Sequence, residues 1–345
     1  MGKEDCKLQP LVSVVCMAFN QVEYIRDALD GFVNQITNFP YEVIVHDDCS
    51  TDGTAEVVME YASRYPGLVI PFIETENQYS KGALLYKDLV RPLTRGKYIA
   101  LCEGDDYWID PDKLQLQFNF MEAHPDFSMC VHNAKVIDYA SDLVYLSEPI
   151  GEDREKTLDE LIVEGGGLLN PTASLFFRKS CDKYYRDGYG APVGDHFNMM
   201  RLASFGRAEW MARPMSVYRY GAKNSFTQGN RVGKAEYYEQ YGARYIEGLR
   251  LMKEDLHGAH AKAFDDRMSF QERDTLKNMA TATFCDRPSL AALDGLGLRD
   301  SGRAIAKRYF PDAAYRGILR FDKMRTKRKI GTLLGKTAVE PVPIR

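Results

Sequence analysis

The order of apolar and amphipathic segments constrains the fold of this chain more than any other feature. Residues 11–19 are nearly all apolar or β-branched, which is typical of a strand buried on both faces of a parallel sheet. From about 23 to 35 the apolar residues recur at three- and four-residue spacing, which predicts an amphipathic helix. Strands at 41–46 and 69–73 and a helix at 54–64 continue the alternation. The pattern predicts an α/β fold with a mixed, mostly parallel, Rossmann-like sheet flanked by helices.

The segments that follow extend this sheet with less regular patterns. The run 114–121 suits a strand or a helix by its spacing, but Asp110 and Pro111 form a helix start, so a helix is predicted. Three glycines at 165–167 indicate a hinge or a mobile loop. Further strands are predicted at 98–102, 127–132, 144–146, 170–178 and 215–220, and further helices at 82–93, 158–163 and 195–202.

The patterns divide the chain into two parts. Strand-like runs occur up to about residue 220, and beyond 233 only helical patterns rich in Tyr, Ala, Leu and charge are found. We therefore predict one domain at 1–230 and a C-terminal helical extension at 231–345 that ends in a basic tail.

Carboxylates follow two of the predicted strands. Glu103, Asp105 and Asp106 come directly after the strand that ends near residue 102. The pair Asp47 and Asp48 follows the second strand in the same way. Because the carboxyl ends of parallel strands meet at one edge of a sheet, these acids are expected to converge there. Hard divalent cations prefer oxygen ligands, so a metal site is predicted, with turn formation and helix capping as the alternative.

Four segments together resemble a known enzyme family. Residues 13–21, 43–54, 77–82 and 98–113 are similar, in order and spacing, to the nucleotide-sugar-binding half of the family 2 glycosyltransferases, which have the GT-A fold. The likeness spans roughly residues 10–225 and is greatest to bacterial cell-surface polysaccharide transferases with Asn-Gln-Tyr-Ser-Lys-Gly and Glu-Gly-Asp-Asp-Tyr-Trp segments.

The resemblance implies an activity and a division of the domain. It implies a metal-dependent, inverting transfer of a hexosyl or N-acetylhexosaminyl group from a UDP-sugar to a hydroxyl of a glycan or lipid-linked acceptor, in surface polysaccharide synthesis. A donor half at about 10–140 would precede an acceptor half at about 141–230. A sugar nucleotidyltransferase is an alternative, but residues 17–21 lack the glycine-rich, basic loop it needs after the first strand. A non-catalytic module that binds nucleotide-sugars or glycans is the other alternative.

The resemblance also assigns roles to single residues. Asp48 is similar to the aspartate that accepts a hydrogen bond from the uracil N3–H of the donor. Asp106 is similar to the ligand of Mn²⁺ or Mg²⁺, and Asp105 to the residue that contacts the donor ribose or joins the metal. Many relatives have aspartate where this chain has Glu103. The implied donor-binding positions are Ala18, Asn20, Asp47, Asp48, Asn77, Lys81 and Asp105.

The acceptor half is expected to supply a general base. Asp195, at a predicted helix start, matches the carboxylate that takes the acceptor proton in the family, although it could also simply cap its helix. His196 is a competing base. Relatives often have a histidine after the last strand, and since this chain has none there, Arg219 or Lys223 is expected to contact the diphosphate.

Charge and cysteine usage suggest where the protein acts. A net charge of -4 gives no reason to expect nucleic acid as a partner. The seven scattered cysteines argue against a disulfide framework or zinc site, and no stretch resembles a signal peptide or a membrane span, so a cytoplasmic protein is expected. Residues 316–329 mix basic and apolar side chains, which predicts either a peripheral contact with the inner face of the cell membrane or a solvated helix end.

Overall fold

The structure is a computed structural model that describes residues 9–139, 143–149, 151–184, 188–225 and 235–283. Its helices and strands have the following bounds in chain order: β1 Val12–Ala18, α1 Ile25–Val33, β2 Tyr41–Asp47, α2 Thr54–Arg64, β3 Val69–Ile73, β4 Tyr98–Leu101, β5 Tyr107–Trp108, α3 Lys113–Ala123, β6 Phe127–Asp138, β7 Leu143–Leu146, β8 Arg154–Lys156, α4 Leu158–Glu164, β9 Phe176–Arg178, α5 Gly194–Ala203, β10 Arg207–Tyr220, α6 Ala235–Asp255 and α7 Ala261–Thr283.

One mixed sheet organises these elements, in the order β3-β2-β1-β4-β9-β6-β10-β5. Strands β1 to β4 pair in parallel, β9 joins β4 to β6 in antiparallel fashion, and β10 runs parallel to β6. Strands β5 and β8 are antiparallel to β10, and β7 is antiparallel to β6. The α/β fold with a mixed sheet flanked by helices is confirmed. The carboxyl ends of β1, β2 and β4 meet at one edge, as the sequence predicts.

Both faces of the sheet are covered, because successive residues of a strand point to opposite sides. In β1, Val14 belongs to the hydrophobic core under α1 and α2, whereas Val15 belongs to the core on the other face. A third core joins Phe197 of α5 to Leu249 of α6 and Phe264 of α7. The hairpin of α6 and α7 is therefore packed directly onto the helix that begins beside Asp195.

Three predicted elements differ from the observed ones. The helix expected at 82–93 is instead a π-helical turn over Leu85–Val90 followed by a 3-10 turn over Arg91–Leu93, which contains Pro92. The strand expected at 170–178 is confined to β9, because Ser174 Oγ donates to the Pro171 carbonyl at 2.7 Å and closes a 3-10 turn.

The last strand is longer than expected and begins at Arg207 instead of Met215. Pro214 interrupts the apolar pattern, and the pairing of β10 with β6 shifts register between Met211 and Ser216. Proline lacks the N–H that a ladder needs, so it is tolerated at such an irregularity without ending the strand.

Other predictions are confirmed. Helix α2 has the predicted bounds, and the ambiguous segment 114–121 lies in a helix, α3, whose N-cap is Asp112 instead of Asp110. The expected helical extension is helical over α6 and α7, while the basic tail at 316–329 lies outside the described residues. Within the described part of the chain, no helix is long and apolar enough to cross a membrane.

Candidate active site

The acidic turn, residues Glu103–Asp106, follows β4 at the carboxyl edge of the sheet and is fastened to β1. The Gly104 N–H donates to the Met17 carbonyl at 2.9 Å. A Cβ at Gly104 would lie 2.5 Å from Gln21 Oε1 and 2.8 Å from Ile25 Cδ1, so a larger residue there would displace these two side chains. The acidic turn is therefore in close contact with side chains at the start of α1.

The carboxylates of the acidic turn lie close together, with Arg219 as the nearby positive charge. Asp105 and Asp106 are 7% and 2% exposed. Burial raises the pKa of both, and the neighbouring acids Asp105 and Glu103 raise that of Asp106 further. The Glu103 side chain is exposed to solvent, yet the surrounding protein and the charges of Asp105 and Asp195 raise its pKa to about 8. A group that is both surrounded by protein and accessible lies in a recess, which Glu103 shares with Asp195.

A divalent cation fits this turn on chemical grounds. Asp105 Oδ1 is buried and has no hydrogen-bond partner, and an unpaired carboxylate oxygen is what a cation would satisfy. Among the described residues, no group of three His, Cys, Asp or Glu side chains forms a closed metal site. Mg²⁺ is commonly held by one or two carboxylates together with substrate phosphates. Asp105 and Asp106 are therefore the residues that would hold such an ion.

The loop after β2 brings several predicted donor-binding residues together around Asp48. The buried Asp48 carboxylate accepts hydrogen bonds from the Gln78 N–H at 2.7 Å and the Tyr79 N–H at 3.0 Å. Asn77 Nδ2 donates to the Asp48 carbonyl at 3.1 Å. The Asp48 N–H donates to the Ala18 carbonyl at 3.0 Å, at the end of β1. These bonds join three segments that the sequence assigns to the donor site.

Asn20 and Asp47 stabilise the same loop through side-chain hydrogen bonds. Asn20 has a positive φ of 52°, and its Oδ1 accepts a hydrogen bond from the Thr51 N–H at 2.9 Å. Asp47 is fully buried, and its Oδ2 accepts from the Ser50 N–H at 2.9 Å. Their contact with a donor stays a prediction, while their role in shaping the loop follows from these bonds.

The two predicted lysines lie in exposed ion pairs. Lys81 pairs with Glu76, and Lys223 Nζ lies 2.6 Å from Glu23 Oε1. Exposed pairs contribute only about 0–1 kcal/mol, so a phosphate could replace either carboxylate at little cost. Contact of these lysines with a diphosphate stays a prediction.

Arg219 of β10 fastens the acidic turn from the opposite side. Its backbone N–H donates to Asp106 Oδ1 at 2.8 Å, and its Nη1 donates to the Asp105 carbonyl at 2.9 Å. Its Nη2 pairs with Asp27 of α1, and its guanidinium carbon lies 4.3 Å from the centre of the Tyr107 ring. Arg219 thus has a structural role that the sequence did not reveal, and its expected contact with the diphosphate stays a prediction.

Asp195 lies in the first turn of α5 against the glycine loop, residues 165–167. Its Oδ1 accepts a hydrogen bond from the His196 N–H at 2.8 Å, and the Gly167 N–H also donates to its carboxylate. A Cβ at Gly166 would lie 2.7 Å from Asp195 Oδ2, so a larger residue there would displace this carboxylate. Burial raises the pKa of Asp195 and backbone N–H donors lower it, with a net rise. Asp195 therefore serves the helix start, and its charge acts on Glu103.

His196 is a core residue, and the alternative that it acts as the base is wrong. Its Nε2 lies 2.8 Å from the Leu161 carbonyl, and its Nδ1 lies 2.5 Å from the Tyr245 hydroxyl. Burial and the charge of Arg267 lower its pKa to about 3, so the ring is neutral. In that form Nε2–H donates to the carbonyl and Nδ1 accepts from Tyr245, which leaves neither nitrogen available for an acceptor.

A buried charge network supports the glycine loop. Lys156 of β8 is 1% exposed, and its Nζ lies 2.5 Å from Glu148 Oε1 and 2.7 Å from Glu164 Oε2. It also donates to Asn170 Oδ1 at 2.8 Å, and Asn170 Nδ2 donates to the Gly165 carbonyl at 3.0 Å. The network connects β8, the end of α4 and the loop that contacts Asp195.

Tyr218 is a candidate site residue that sequence reasoning missed. Besides burial, the charges of Asp106, Asp195 and Glu103 raise its pKa, so this half-buried ring is within electrostatic range of the three acids. Tyr218 and Arg219 are neighbours on β10 and point to opposite faces. Side chains alternate between the two faces of a strand, so the sequence could place Tyr218 and Arg219 on opposite faces of β10. It could not show which of these faces lies toward the recess.

Comparisons with known proteins agree with this geometry. The family model described as glycosyl transferase family 2 matches residues 13–185. An uncharacterised protein of Mycobacterium tuberculosis is 34% identical over 249 residues, which cover 72% of this chain and 69% of the relative. The UDP-Glc:α-D-GlcNAc-diphosphoundecaprenol β-1,3-glucosyltransferase WfaP of Escherichia coli is 31% identical over 117 residues, 34% of this chain and 43% of the relative.

A solved structure with a similar fold is that of S. aureus TarS, residues 1–349, in complex with UDP-GlcNAc. The TM-score is 0.56 at 17% sequence identity, over 95% of this chain and 93% of that chain. This likeness concerns the fold alone.

Proposed function

The chain belongs to glycosyl transferase family 2, and from that premise we propose that it moves a hexosyl or N-acetylhexosaminyl group from a UDP-sugar to a hydroxyl of a glycan or lipid-linked acceptor, with inversion. One observation carries the proposal. Asp195 of the proposed acceptor half is within electrostatic range of the acidic turn, since its charge, after burial and Asp105, contributes to the raised pKa of Glu103. A transferase needs the donor site and the base that deprotonates the acceptor hydroxyl to lie close together.

The donor nucleotide is proposed to bind at the loops around β1 and β2. Each oxygen of the Asp48 carboxylate accepts one backbone hydrogen bond and has lone-pair capacity for another, which suits the N3–H of uracil. Ala18, Asn20 and Asn77 lie in the loops joined to Asp48 and would line the base and ribose. WfaP is named as a transferase that uses UDP-Glc, and the TarS structure is a complex with UDP-GlcNAc. Both support a UDP-sugar donor for this chain.

The diphosphate is proposed to lie over the acidic turn. A divalent ion, Mn²⁺ or Mg²⁺, would be held there by Asp106 and Asp105 and would neutralise charge on the departing UDP. Lys223, and Arg219 if its bond to Asp27 opens, would add positive charge near the same oxygens.

Asp195 is proposed as the general base. Its carboxylate would take the proton of the acceptor hydroxyl while that oxygen forms a bond to the anomeric carbon. The bond from the anomeric carbon to the phosphate oxygen breaks at the same time, and UDP leaves with the electron pair. A single displacement of this kind inverts the anomeric configuration. The raised pKa makes Asp195 a better base than an ordinary aspartate, provided that it is ionised.

The acceptor and the location are proposed from the relatives and the sequence. The name of WfaP includes an acceptor linked to diphosphoundecaprenol, which supports a lipid-linked acceptor in cell-surface polysaccharide synthesis for this chain. A cytoplasmic protein whose basic tail contacts the inner face of the membrane would meet such an acceptor.

A two-stage experiment tests the proposal. Calorimetric titration with UDP, with and without MnCl₂, should give binding that Mn²⁺ tightens. Incubation with a panel of UDP-hexoses and a diphosphoundecaprenyl-linked sugar, followed by mass spectrometry, should then give an extended acceptor and UDP. Binding without turnover would identify a non-catalytic module, and formation of a nucleotide-sugar from UTP and a sugar 1-phosphate would identify a nucleotidyltransferase. Failure to bind UDP would overturn the donor assignment.

A further inference from the structure

Three tyrosines form a row along α6, one at each turn, which we call the tyrosine ladder: Tyr237, Tyr241 and Tyr245. The ring centres of Tyr237 and Tyr241 are 6.2 Å apart, and those of Tyr241 and Tyr245 are also 6.2 Å apart with nearly parallel planes at 28°. The ring of His196 continues the row, 5.9 Å from Tyr245. Spacing by four residues places the three rings on one face of the helix.

The inner end of the ladder adjoins the proposed base. Tyr245 is 3% exposed, and its hydroxyl lies 2.5 Å from Nδ1 of His196, the residue next to Asp195. The ladder becomes more accessible toward its outer end, since Tyr241 is partly exposed and Tyr237 is 38% exposed. Burial raises the pKa of Tyr241, and the charge of Asp195 contributes to the rise, so this ring lies within electrostatic range of the base.

Two further tyrosines lie near the ladder or the acids. Tyr218 of β10 is within electrostatic range of Asp106, Asp195 and Glu103, as described above. Tyr79, in the loop bound to Asp48, is 65% exposed and is within electrostatic range of Tyr237 at the outer end of the ladder.

This arrangement suits a sugar ring. A pyranose has an apolar face of C–H groups that packs on an aromatic ring, while its hydroxyls need polar partners at the rim. Tyrosine offers a flat apolar ring with a hydroxyl at its edge, at little cost in side-chain entropy. Packing against the third core accounts for the buried Tyr245 and for the buried part of Tyr241. Tyr241 stays partly accessible, and Tyr237, whose ring centre lies 5.6 Å from that of Tyr238, is 38% exposed.

We propose that the tyrosine ladder is the acceptor subsite, with the pyranose that receives the new sugar stacked on Tyr241 and the preceding sugar of the acceptor on Tyr237. A hydroxyl of the stacked pyranose then reaches Asp195, and Tyr218 of β10 borders the ring. This assignment rests on the proposed glycosyl transfer and adds that the helical hairpin, together with Tyr218 of the sheet, recognises the acceptor.

Kinetic analysis of variants tests the assignment. Tyr241→Ala is expected to raise the acceptor KM about tenfold, the equivalent of 1.4 kcal/mol of stacking, while the KM for the UDP-sugar stays within about twofold. Tyr241→Phe keeps the ring and should change the acceptor KM less than about threefold. Tyr237→Ala should raise the acceptor KM for a disaccharide more than for a monosaccharide. Phe205→Ala, at the far end of α5 and 39% exposed, is the matched control and should change neither KM.

A binding measurement separates this assignment from the proposed function. Saturation-transfer NMR of the full chain with UDP present would use the methyl glycosides of glucose, galactose, mannose and N-acetylglucosamine, with glucitol as the control without a ring. At least one glycoside should show transfer to its C–H face that Tyr241→Ala abolishes and Tyr241→Phe retains. This result would support the subsite even if no transfer activity were found. Normal acceptor KM in Tyr241→Ala, or no binding of any glycoside to the wild type, would overturn the subsite and leave the transferase proposal standing.

Discussion

In the proposed donor half and the proposed acceptor half, backbone N–H groups bind the carboxylates, but the segments that supply these N–H groups are supported differently. In the donor half, Asp48 and Asp106 are held by backbone N–H groups of neighbouring loops and strands, at 2.7–3.0 Å for Asp48 and at 2.8 Å for Asp106. In the acceptor half, Asp195 depends on a glycine loop that is supported by side chains from distant segments, among them Lys156 and Arg267.

The difference matters because the two kinds of support tolerate change differently. A backbone hydrogen bond at the end of a parallel strand persists whatever side chains surround it. A side-chain network fails when one member is lost, because its partners are left buried and unpaired. Substitutions in the donor half should therefore alter binding of nucleotide and metal, and those in the acceptor half should alter turnover and stability.

The largest effect is expected from Asp195→Asn. The amide oxygen can still accept the hydrogen bond of the His196 N–H, so the helix start should be kept, but the base is lost. Turnover should fall about 10³-fold, with the UDP dissociation constant unchanged by calorimetry. Full turnover in a folded Asp195→Asn protein would show that the base is elsewhere.

Asp106→Asn should have the next largest effect and should act on the donor side. The amide oxygen can still accept the Arg219 N–H, but a charged ligand for the metal is removed. We expect turnover to fall about 10²-fold and the tightening of UDP binding by Mn²⁺ to disappear. Asp112→Asn, at the half-exposed start of α3, is the control and should keep the Mn²⁺ effect. Retained Mn²⁺ dependence in Asp106→Asn would contradict the metal assignment.

Lys156→Met tests the side-chain support of the acceptor half. Loss of this buried cation removes its ion pairs with Glu148 and Glu164 and leaves Glu148 with the more distant Arg154, at 3.5 Å, so the free energy of unfolding should fall by about 3 kcal/mol. The same substitution at the exposed Lys97, which pairs with Glu122, should cost less than about 1 kcal/mol. Chemical denaturation of the two variants gives the comparison, and equal losses would refute the distinction between the halves.

Tyr245→Phe removes one hydroxyl from the acceptor half and keeps the ring. His196 Nδ1 then has no donor, and Arg267 Nη2 loses the acceptor that lies 3.0 Å away, so we expect a loss of about 1–2 kcal/mol. Turnover should also fall a few-fold, because α5 positions Asp195. Tyr41→Phe is the matched variant in the donor half, where the hydroxyl donates to the Phe32 carbonyl at 2.9 Å. If turnover fell as far in Tyr41→Phe, the effect of Tyr245→Phe on turnover would reflect a general loss of stability and not the position of Asp195.

The smallest effect concerns the dependence of stability on pH. The pKa of Glu103 is about 8 in the folded chain against 4.5 ordinarily, so between these values the folded state holds a proton that the unfolded state releases. Stability should therefore decrease as pH rises from 5 to 8, in the absence of metal and donor. Since Glu103 is partly screened by solvent, the midpoint of thermal unfolding should fall by only about 2–4 °C. Glu103→Gln should flatten this dependence, and an unchanged slope would exclude Glu103 as its source.

Local sequence patterns predicted the donor half well, for a physical reason. Parallel strands such as β1 and β2 are continuous apolar runs, and the residue after each one must lie at the same edge of the sheet. The positions of Asp48 and Asp106 follow from that rule, and the location of Asp195 follows from a helix start. The sequence also predicted the helical nature of α6 and α7.

Contacts between distant segments were not predictable in this way. Nothing around Arg219 indicates that its side chain fastens the acidic turn, and nothing around Tyr245 indicates a bond to His196. The length of β10 was missed because Pro214 breaks a local pattern whereas the ladder with β6 bridges the break. Patterns describe neighbours along the chain, while these features depend on partners more than 40 residues away.

The packing of α5 against the α6 and α7 hairpin bears on how such proteins diversify. The family model ends at residue 185 and includes neither Asp195 nor the hairpin, whereas the 249-residue match to the Mycobacterium tuberculosis protein must include Asp195. A lineage that replaces the hairpin would change the surface beside Asp195 and leave the nucleotide loops untouched. Acceptor specificity and donor specificity could then evolve independently. A chimaera that exchanges residues 235–283 between relatives would therefore be expected to change the acceptor specificity.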